Sequence, residues 1–306
     1  MSTVADDDQT RQIFLSLAES LEDGKSLPTE ILIAYSEHPE DAIRRLAIEA
    51  IGYENDPAGV RALLRATADT NVEIGLLARE ALRSFGSPAA VKHLAEGLGH
   101  PAAETRVAAA VALRERRAPE AVDALIRSLK DVESEVRRQS VISLAHYRDR
   151  DFLPALRSAL RDEDPGVRKV AVNAVAQFGE ALVFDDLISA LADPDWRVRQ
   201  EAAFALGQFA GQASETALRD SLGDPSWQVV REAALSLSRL RVDGGEGLAR
   251  LLTHDLADLR IAGAKALGES RNRSWFARIE PLLTDRDAGV RKAARLAIER
   301  LSAAPD

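Results

Sequence analysis

The chain has 306 residues, 46% of them hydrophobic and 5% aromatic, with one methionine, no cysteine, and a net charge of −9 from 40 basic and 49 acidic side chains. Without cysteine it can form no disulfide, thiolate zinc site, iron–sulfur cluster or cysteine nucleophile, and so few aromatics disfavour a β-sandwich, leaving Ala, Leu, Val and Ile to build a helical core. Residues 1–60 hold 4 basic and 13 acidic side chains and residues 61–306 hold 36 of each, so the body is neutral and offers no broad basic field to nucleic acid or an anionic membrane.

In chain order, the acidic opening Met1–Asp8 is followed by no long apolar run, so neither a secretion signal nor a membrane span is expected, and a cytoplasmic location is. Arg11–Leu21 carries a single apolar stripe and predicts a helix that covers the open end of whatever follows. Gly24–Pro28 turns the chain. The expected division is an acidic segment with a capping helix over 1–27, then a repeat array over 28–306.

The array has a period of 31 residues, with one step of 30. Its anchoring column reads Arg44, Gly75, Arg106, Arg137, Arg168, Arg199, Val230, Arg260 and Arg291. Three residues after each anchor, and again six after, the side chain is always small; the next position is always aliphatic, from Ile51 and Leu82 to Leu267 and Ile298. Small residues three apart beside an aliphatic one form a stripe on one helical face that lets a neighbouring helix approach closely. Each such helix follows a second apolar stretch, which ends eight residues before the anchor at Leu98, Leu129, Leu160, Leu191, Leu222, Leu252 or Leu283 in the last seven repeats. The unit is helix, short turn, helix.

Six residues before the anchor stands Asp or His: His38, Asp69, His100, Asp131, Asp162, Asp193, Asp224, His254 and Asp285, often followed by proline. Asp-Pro predicts a helix start, the carboxylate capping free N–H groups and the proline sitting in the first turn, with histidine as a weaker cap. The repeated arginine is expected to reach such an aspartate, or free carbonyls, of a neighbouring unit, giving a structural ladder through Asp131, Arg137, Asp162, Arg168, Asp193 and Arg199. One helix pair cannot bury its apolar face alone, but nine stacked pairs share a continuous core.

The run Asp-Pro-x-x-x-Val-Arg-x-x-Ala-x-x-Ala-Leu-Gly, fullest at Asp193 to Gly207, resembles the HEAT repeats, and within them the short variety named after phycobilisome (PBS) bilin lyases. The resemblance implies an all-α, armadillo-like, right-handed α-solenoid of about nine two-helix repeats with an N-terminal capping helix, its second helices lining the concave surface. Gly75 and Val230 depart from the arginine pattern and put the ladder in doubt at those repeats. The family includes lyase subunits, scaffolds and regulators, so it points to no single activity.

Chemistry is sparse. His38, His100 and His254 occupy the aspartate column, and His93 and His146 have no partner at metal or triad spacing. The paired His-Glu dipeptides of HEAT-like di-iron hydroxylases are missing. Gly244-Gly245-Glu246-Gly247 lacks the lysine of a phosphate loop. No catalytic residue, metal or cofactor is expected.

A groove is the better candidate. The positions three and two before the anchor and one, five and nine after it point away from the packing stripe. In repeats four to seven these include Arg138, His146, Lys169 and Asn173, then Trp196, Arg197, Gln200 and Phe204, then Trp227, Arg231, Leu235 and Arg239. Aromatics beside arginines, with few acids, match the composition of protein interaction hot spots; tryptophan packing over a helix start accounts for Trp196 and Trp227 equally well. Trp275 and Phe276 read as core or cap residues. The leading reading is a non-enzymatic scaffold or assembly subunit binding a protein or peptide. The alternatives are a lyase-type chaperone subunit holding a bilin or other tetrapyrrole, and a DNA-binding HEAT-like protein, the latter disfavoured by charge.

Overall fold

A computed structural model of the chain describes residues 3–23, 27–85 and 87–303; the expected turn at Gly24–Ser26 lies outside them. The described residues are helical throughout, with short turns and no strand, and fall into two compact units, residues 1–155 and 156–306.

The first unit opens with α1 (Thr3–Asp23), which packs on α3 and buries Leu17 completely. Its helix pairs are α2 (Thr29–Tyr35) with α3 (Asp41–Glu54), α4 (Val60–Ala66) with α5 (Val72–Ser84), α6 (Ala90–Gly97) with α7 (Ala103–Arg114), and α8 (Val122–Ser128) with α9 (Ser134–Tyr147). Helix α10 (Leu153–Ala159) crosses the division between units. The second unit continues with α11 (Pro165–Ala176), then pairs α12 (Glu180–Ala190) with α13 (Trp196–Leu206), α14 (Gln212–Asp220) with α15 (Trp227–Leu240), α16 (Gly245–Leu251) with α17 (Ala257–Glu269), and α18 (Phe276–Ile279) with α19 (Ala288–Ser302). The order is the helix, turn, helix unit expected from the period.

Each first helix contributes one fully buried aliphatic side chain, from Leu32, Leu63, Leu94 and Leu125 in the first unit to Leu187, Leu218, Leu248 and Ile279 in the second. These stand twelve residues before the anchor. The expected column eight before it lies at the helix ends and is unevenly covered: Leu98 and Leu252 are buried, whereas Leu283 is 37% exposed. The second helices answer with aliphatic residues one before and seven after the anchor, such as Val198 and Leu206, both within 1% of complete burial.

Within each unit, successive second helices pack on one another more extensively than successive first helices do, except α5 against α7. Small residues permit this: a Cβ on Gly207, eight after its anchor, would come within 2.5 Å of the Cβ of Ser236, which belongs to the small column of the next second helix. Gly207→Ala is therefore expected to lower stability by about 1–3 kcal/mol, the usual cost of overpacking. Gly223→Ala, with nothing within 4 Å of its new methyl, should change it by less than about 0.5 kcal/mol. Urea denaturation midpoints of the two variants, side by side, test whether the close approach is the cause.

The Asp-Pro signal starts the second helix later than expected. The capping residue is four before the anchor, not six: Asn71 accepts from Glu73 N–H at 3.0 Å, Asp164 from Gly166 at 2.7 Å, Asp195 from Arg197 at 2.8 Å and Asp287 from Val290 at 3.0 Å. The earlier aspartate holds the turn before the helix. Asp193 Oδ1 accepts from Asp195 N–H at 2.8 Å and Asp224 Oδ1 from Ser226 N–H at 2.8 Å. Its carboxylate is thereby committed two residues short of the helix, which moves the cap.

Candidate functional site

Beneath the exposed face of the second helices runs the arginine column. In five repeats the guanidinium is forked onto the aspartate of the following turn: Arg44 to Asp69, Arg106 to Asp131, Arg168 to Asp193, Arg199 to Asp224 and Arg260 to Asp285. The Nε–Oδ2 distances are 2.7–2.8 Å and the Nη2–Oδ1 distances 2.8–3.0 Å. The remaining nitrogen, Nη1, donates to two carbonyls of its own turn, as Arg199 does to Asp193 at 2.8 Å and Pro194 at 3.2 Å. Arg137 makes the same carbonyl bonds, to Asp131 at 2.8 Å and Val132 at 3.2 Å; Asp162 accepts from Asp164 N–H at 2.9 Å. Each of the five forked arginines thus ties its own turn to the next with four directed bonds, the planar fork matching a carboxylate as lysine could not.

These pairs are largely buried, with side-chain exposures of 12% for Arg199 and 9% for Asp224, and their ionisation follows. The hydrogen bond from Arg44 holds the Asp69 carboxyl below the usual carboxylate range against the opposing effect of burial. Arg260 does the same for Asp285.

The histidines obey a rule that column-by-column reading misses. One period before Arg44 stands Ile13, and the two later breaks in the arginine column are Gly75 and Val230. The turns that would receive those three missing guanidinium groups carry His38, His100 and His254. Each ring accepts the turn N–H through Nδ1, from Glu40 at 3.1 Å, Ala102 at 3.1 Å and Leu256 at 3.0 Å. An aspartate there would be a carboxylate without its guanidinium partner, whereas the imidazole Nδ1 accepts the same turn bond without adding a negative charge. The signal was present in the sequence as a pairing of two columns one period apart.

On the exposed side, Trp196 and Trp227 open α13 and α15 and are 36% and 41% exposed, with Phe204 at 37%. Arg239 lies over the Phe204 ring, its guanidinium carbon 4.9 Å from the centroid, a cation–π contact. Leu235, Arg231 and Gln200 are half-buried on the same helices. The second unit holds Lys169, Asn173 and these residues; Arg138 and His146 belong to α9 of the first unit.

The charge of this surface differs from the sequence expectation of free cations with few acids. Arg197 is forked onto its own capping residue, Asp195, at 2.7 and 3.0 Å, which holds that carboxyl at about 2. Arg239 donates to Glu232 at 2.9 Å and to Ser236 at 2.7 Å. Glu201 takes Asn173 at 3.1 Å and Lys169 at 3.9 Å. In the first unit Arg138 is forked onto Glu135 at 2.8 Å. Asp195, Glu201 and Glu232 lie outside the columns singled out for reading, four before the anchor or two after it, whereas Glu135 lies within them, two before Arg137. What remains is an aromatic and amide surface on which Arg197, Arg239 and Lys169 face carboxylates and, among the described residues, Arg231 does not.

Among the described residues no group of three His, Cys, Asp or Glu side chains could hold a metal, and no helix is long and apolar enough to cross a membrane.

Several known proteins share this architecture. An engineered protein of known crystal structure is 21% identical over 94% of this chain and 91% of its own, with a TM-score of 0.54. Escherichia coli YibA is 20% identical, covering 81% of this chain and 95% of its own, TM-score 0.61. Kap95p, solved with RanGDP, is 13% identical over 95% of this chain and 48% of its own, TM-score 0.64. At these identities the likeness speaks for the fold. No curated protein matches. A PBS lyase HEAT-like repeat is matched at residues 105–131, and HEAT repeats are matched over residues 29–114, 122–187 and 184–246. Those spans coincide with the helix pairs and small-residue columns described above, and the chain belongs to the HEAT-repeat family.

Proposed function

We propose that the protein is an interaction scaffold whose second unit presents the Trp196, Phe204 and Trp227 surface to a protein or peptide partner. The observation that carries this reading is the exposure of three large aromatics, each above one third, on successive second helices, beside Arg197 and Arg239, which are paired with Asp195 and Glu232. Such a surface buries apolar area at small electrostatic cost, and aromatic anchors of this kind dominate binding energies. Duplex nucleic acid would instead require free positive charge, and Arg197, Arg239 and Lys169 are committed to carboxylates.

The test is affinity capture from extract of the source cells with the native chain and with Trp196→Ala/Trp227→Ala. Loss of a hot-spot aromatic costs about 2 kcal/mol or more, so the double variant should lose a specific partner by at least about a hundredfold in Kd while its helicity and melting stay near those of the native chain. Equal capture by both proteins would defeat the assignment.

A further inference from the structure

A cavity of about 1110 Å³ lies in the first unit, where α5 and α7 end and α6 and α8 begin. Its floor is apolar: Phe85, Val91, Ala118 and Ala124 line it and are themselves at least nine-tenths buried. Beside it α5 packs less extensively on α7 than the other second-helix pairs of this unit pack on one another.

The rim is where the charges differ from those of the second unit. Lys92 on α6 and Arg127 on α8 are exposed and make no hydrogen bond or ion pair among the described residues. Two lining acids are already neutralised by cations outside the cavity. Glu96 is held by Arg61 at 2.7 Å and Glu115 by Arg114 at 3.0 Å. At the inner end Arg116 donates to the carbonyls of Leu82, Phe85 and Ala112, while its Nε is buried without an acceptor. Burial lowers its pKa. A half-buried guanidinium solvated mainly by carbonyls places positive charge at the inner end of the cavity, with Glu115 the acid that acts on it.

We propose that this cavity binds an acidic peptide segment, seating an apolar side chain over Phe85 and Val91 and directing flanking carboxylates to Lys92 and Arg127. The volume exceeds the about 300–1,000 Å³ usual for small-molecule pockets and suits several residues of chain. The apolar floor supplies burial, and the two unpaired cations on facing first helices supply direction. Glu120 and Asp123 on the same rim would repel a continuous phosphate backbone but leave room for discrete carboxylates between them. The site is separate from the second-unit surface, so either can fail without the other.

Fluorescence anisotropy of the full chain with a fluorescein-labelled peptide Glu-Glu-Leu-Glu-Asp-Leu-Glu tests this, alongside the same peptide with Gln and Asn for Glu and Asp, and a single-stranded oligonucleotide of twelve nucleotides. The acidic peptide should bind at least tenfold more tightly than the amide peptide and the oligonucleotide, and more weakly as salt rises. Lys92→Glu/Arg127→Glu should lower its affinity at least tenfold. Lys92→Gln/Arg127→Gln should lower it less, and both proteins should keep the native circular dichroism, since the two side chains are exposed and unpaired. Trp196→Ala/Trp227→Ala should leave it unchanged. No binding of the acidic peptide, equal binding of the amide peptide, tighter binding of the oligonucleotide, or unchanged affinity in both charge variants would overturn the proposal.

Discussion

Arg199→Val is expected to destabilise the protein by about 3–5 kcal/mol, the cost of stranding one partner of a buried ion pair. The substitution removes the fork onto Asp224, the bond to Ser226 Oγ at 3.1 Å and both carbonyl bonds to the preceding turn. It leaves a carboxylate that is 9% exposed with no cation. The chain itself supplies the rescue: Val230 with His254 is the natural form of a junction without the fork. Arg199→Val/Asp224→His should therefore recover a substantial part of the loss, and the two changes should couple by about 1–3 kcal/mol in a double-mutant cycle. Urea denaturation of the four proteins measures this, and a double variant no more stable than Arg199→Val would contradict the pairing rule.

The same experiment has a pH signature. Burial alone would raise the Asp224 carboxyl, but Arg199 and the Ser226 N–H outweigh it and hold it below its ordinary range. A folded-state pKa below the unfolded value, about 3.9 for aspartate, contributes stability that is present above that value and lost as pH falls through the folded one. The gap between native protein and Arg199→Val should thus be full near pH 7 and narrow as pH falls, beginning where the stranded carboxyl of the variant, raised by burial, takes up its proton and closing as the native carboxyl does so.

Asp243→Ala should be the second large effect, about 2–3 kcal/mol, because it strands several donors at once. The carboxylate accepts from Asn272 Nδ2 at 2.6 Å, from Trp275 Nε1 at 3.1 and 3.2 Å, and from Gly245 N–H at 2.9 Å, while its own carbonyl takes Arg219 at 2.9 and 3.1 Å. This hub joins the starts of α16 and the helical turn before α18 to α14, in the same stretch where Val230 breaks the ladder. Asp243→Asn keeps an acceptor oxygen and should lose less. Thermal melting of the three proteins, with tryptophan fluorescence shifted to the red in Asp243→Ala, checks the assignment; equal stability in all three would refute it.

The helix pairs, their period and the packing columns could be read from the sequence, because repetition presents the same physical requirement nine times. A position that is small from Ala47 to Ala294 has to be a close contact. The ladder was legible in outline for the same reason, since aspartate and arginine recur at fixed spacing. The charge state of the exposed surface was not. Glu201 and Glu232 lie in columns where charge does not repeat, and only the folded helices show that they face Lys169, Asn173 and Arg239. Trp275 illustrates the same limit: sequence places it near a cap, but its bond to Asp243, 32 residues away, depends on how two turns meet.

The sequence by itself determined what is local and repeated, namely helix, turn, helix and which stripe of each second helix packs. Tertiary structure decided what depends on one side chain meeting another across repeats: which cations are paired, where the cap of each second helix falls, and how a cavity opens beside Arg116. Periodicity encodes an average environment, whereas ion pairing and cavity formation depend on the particular residues at a single junction.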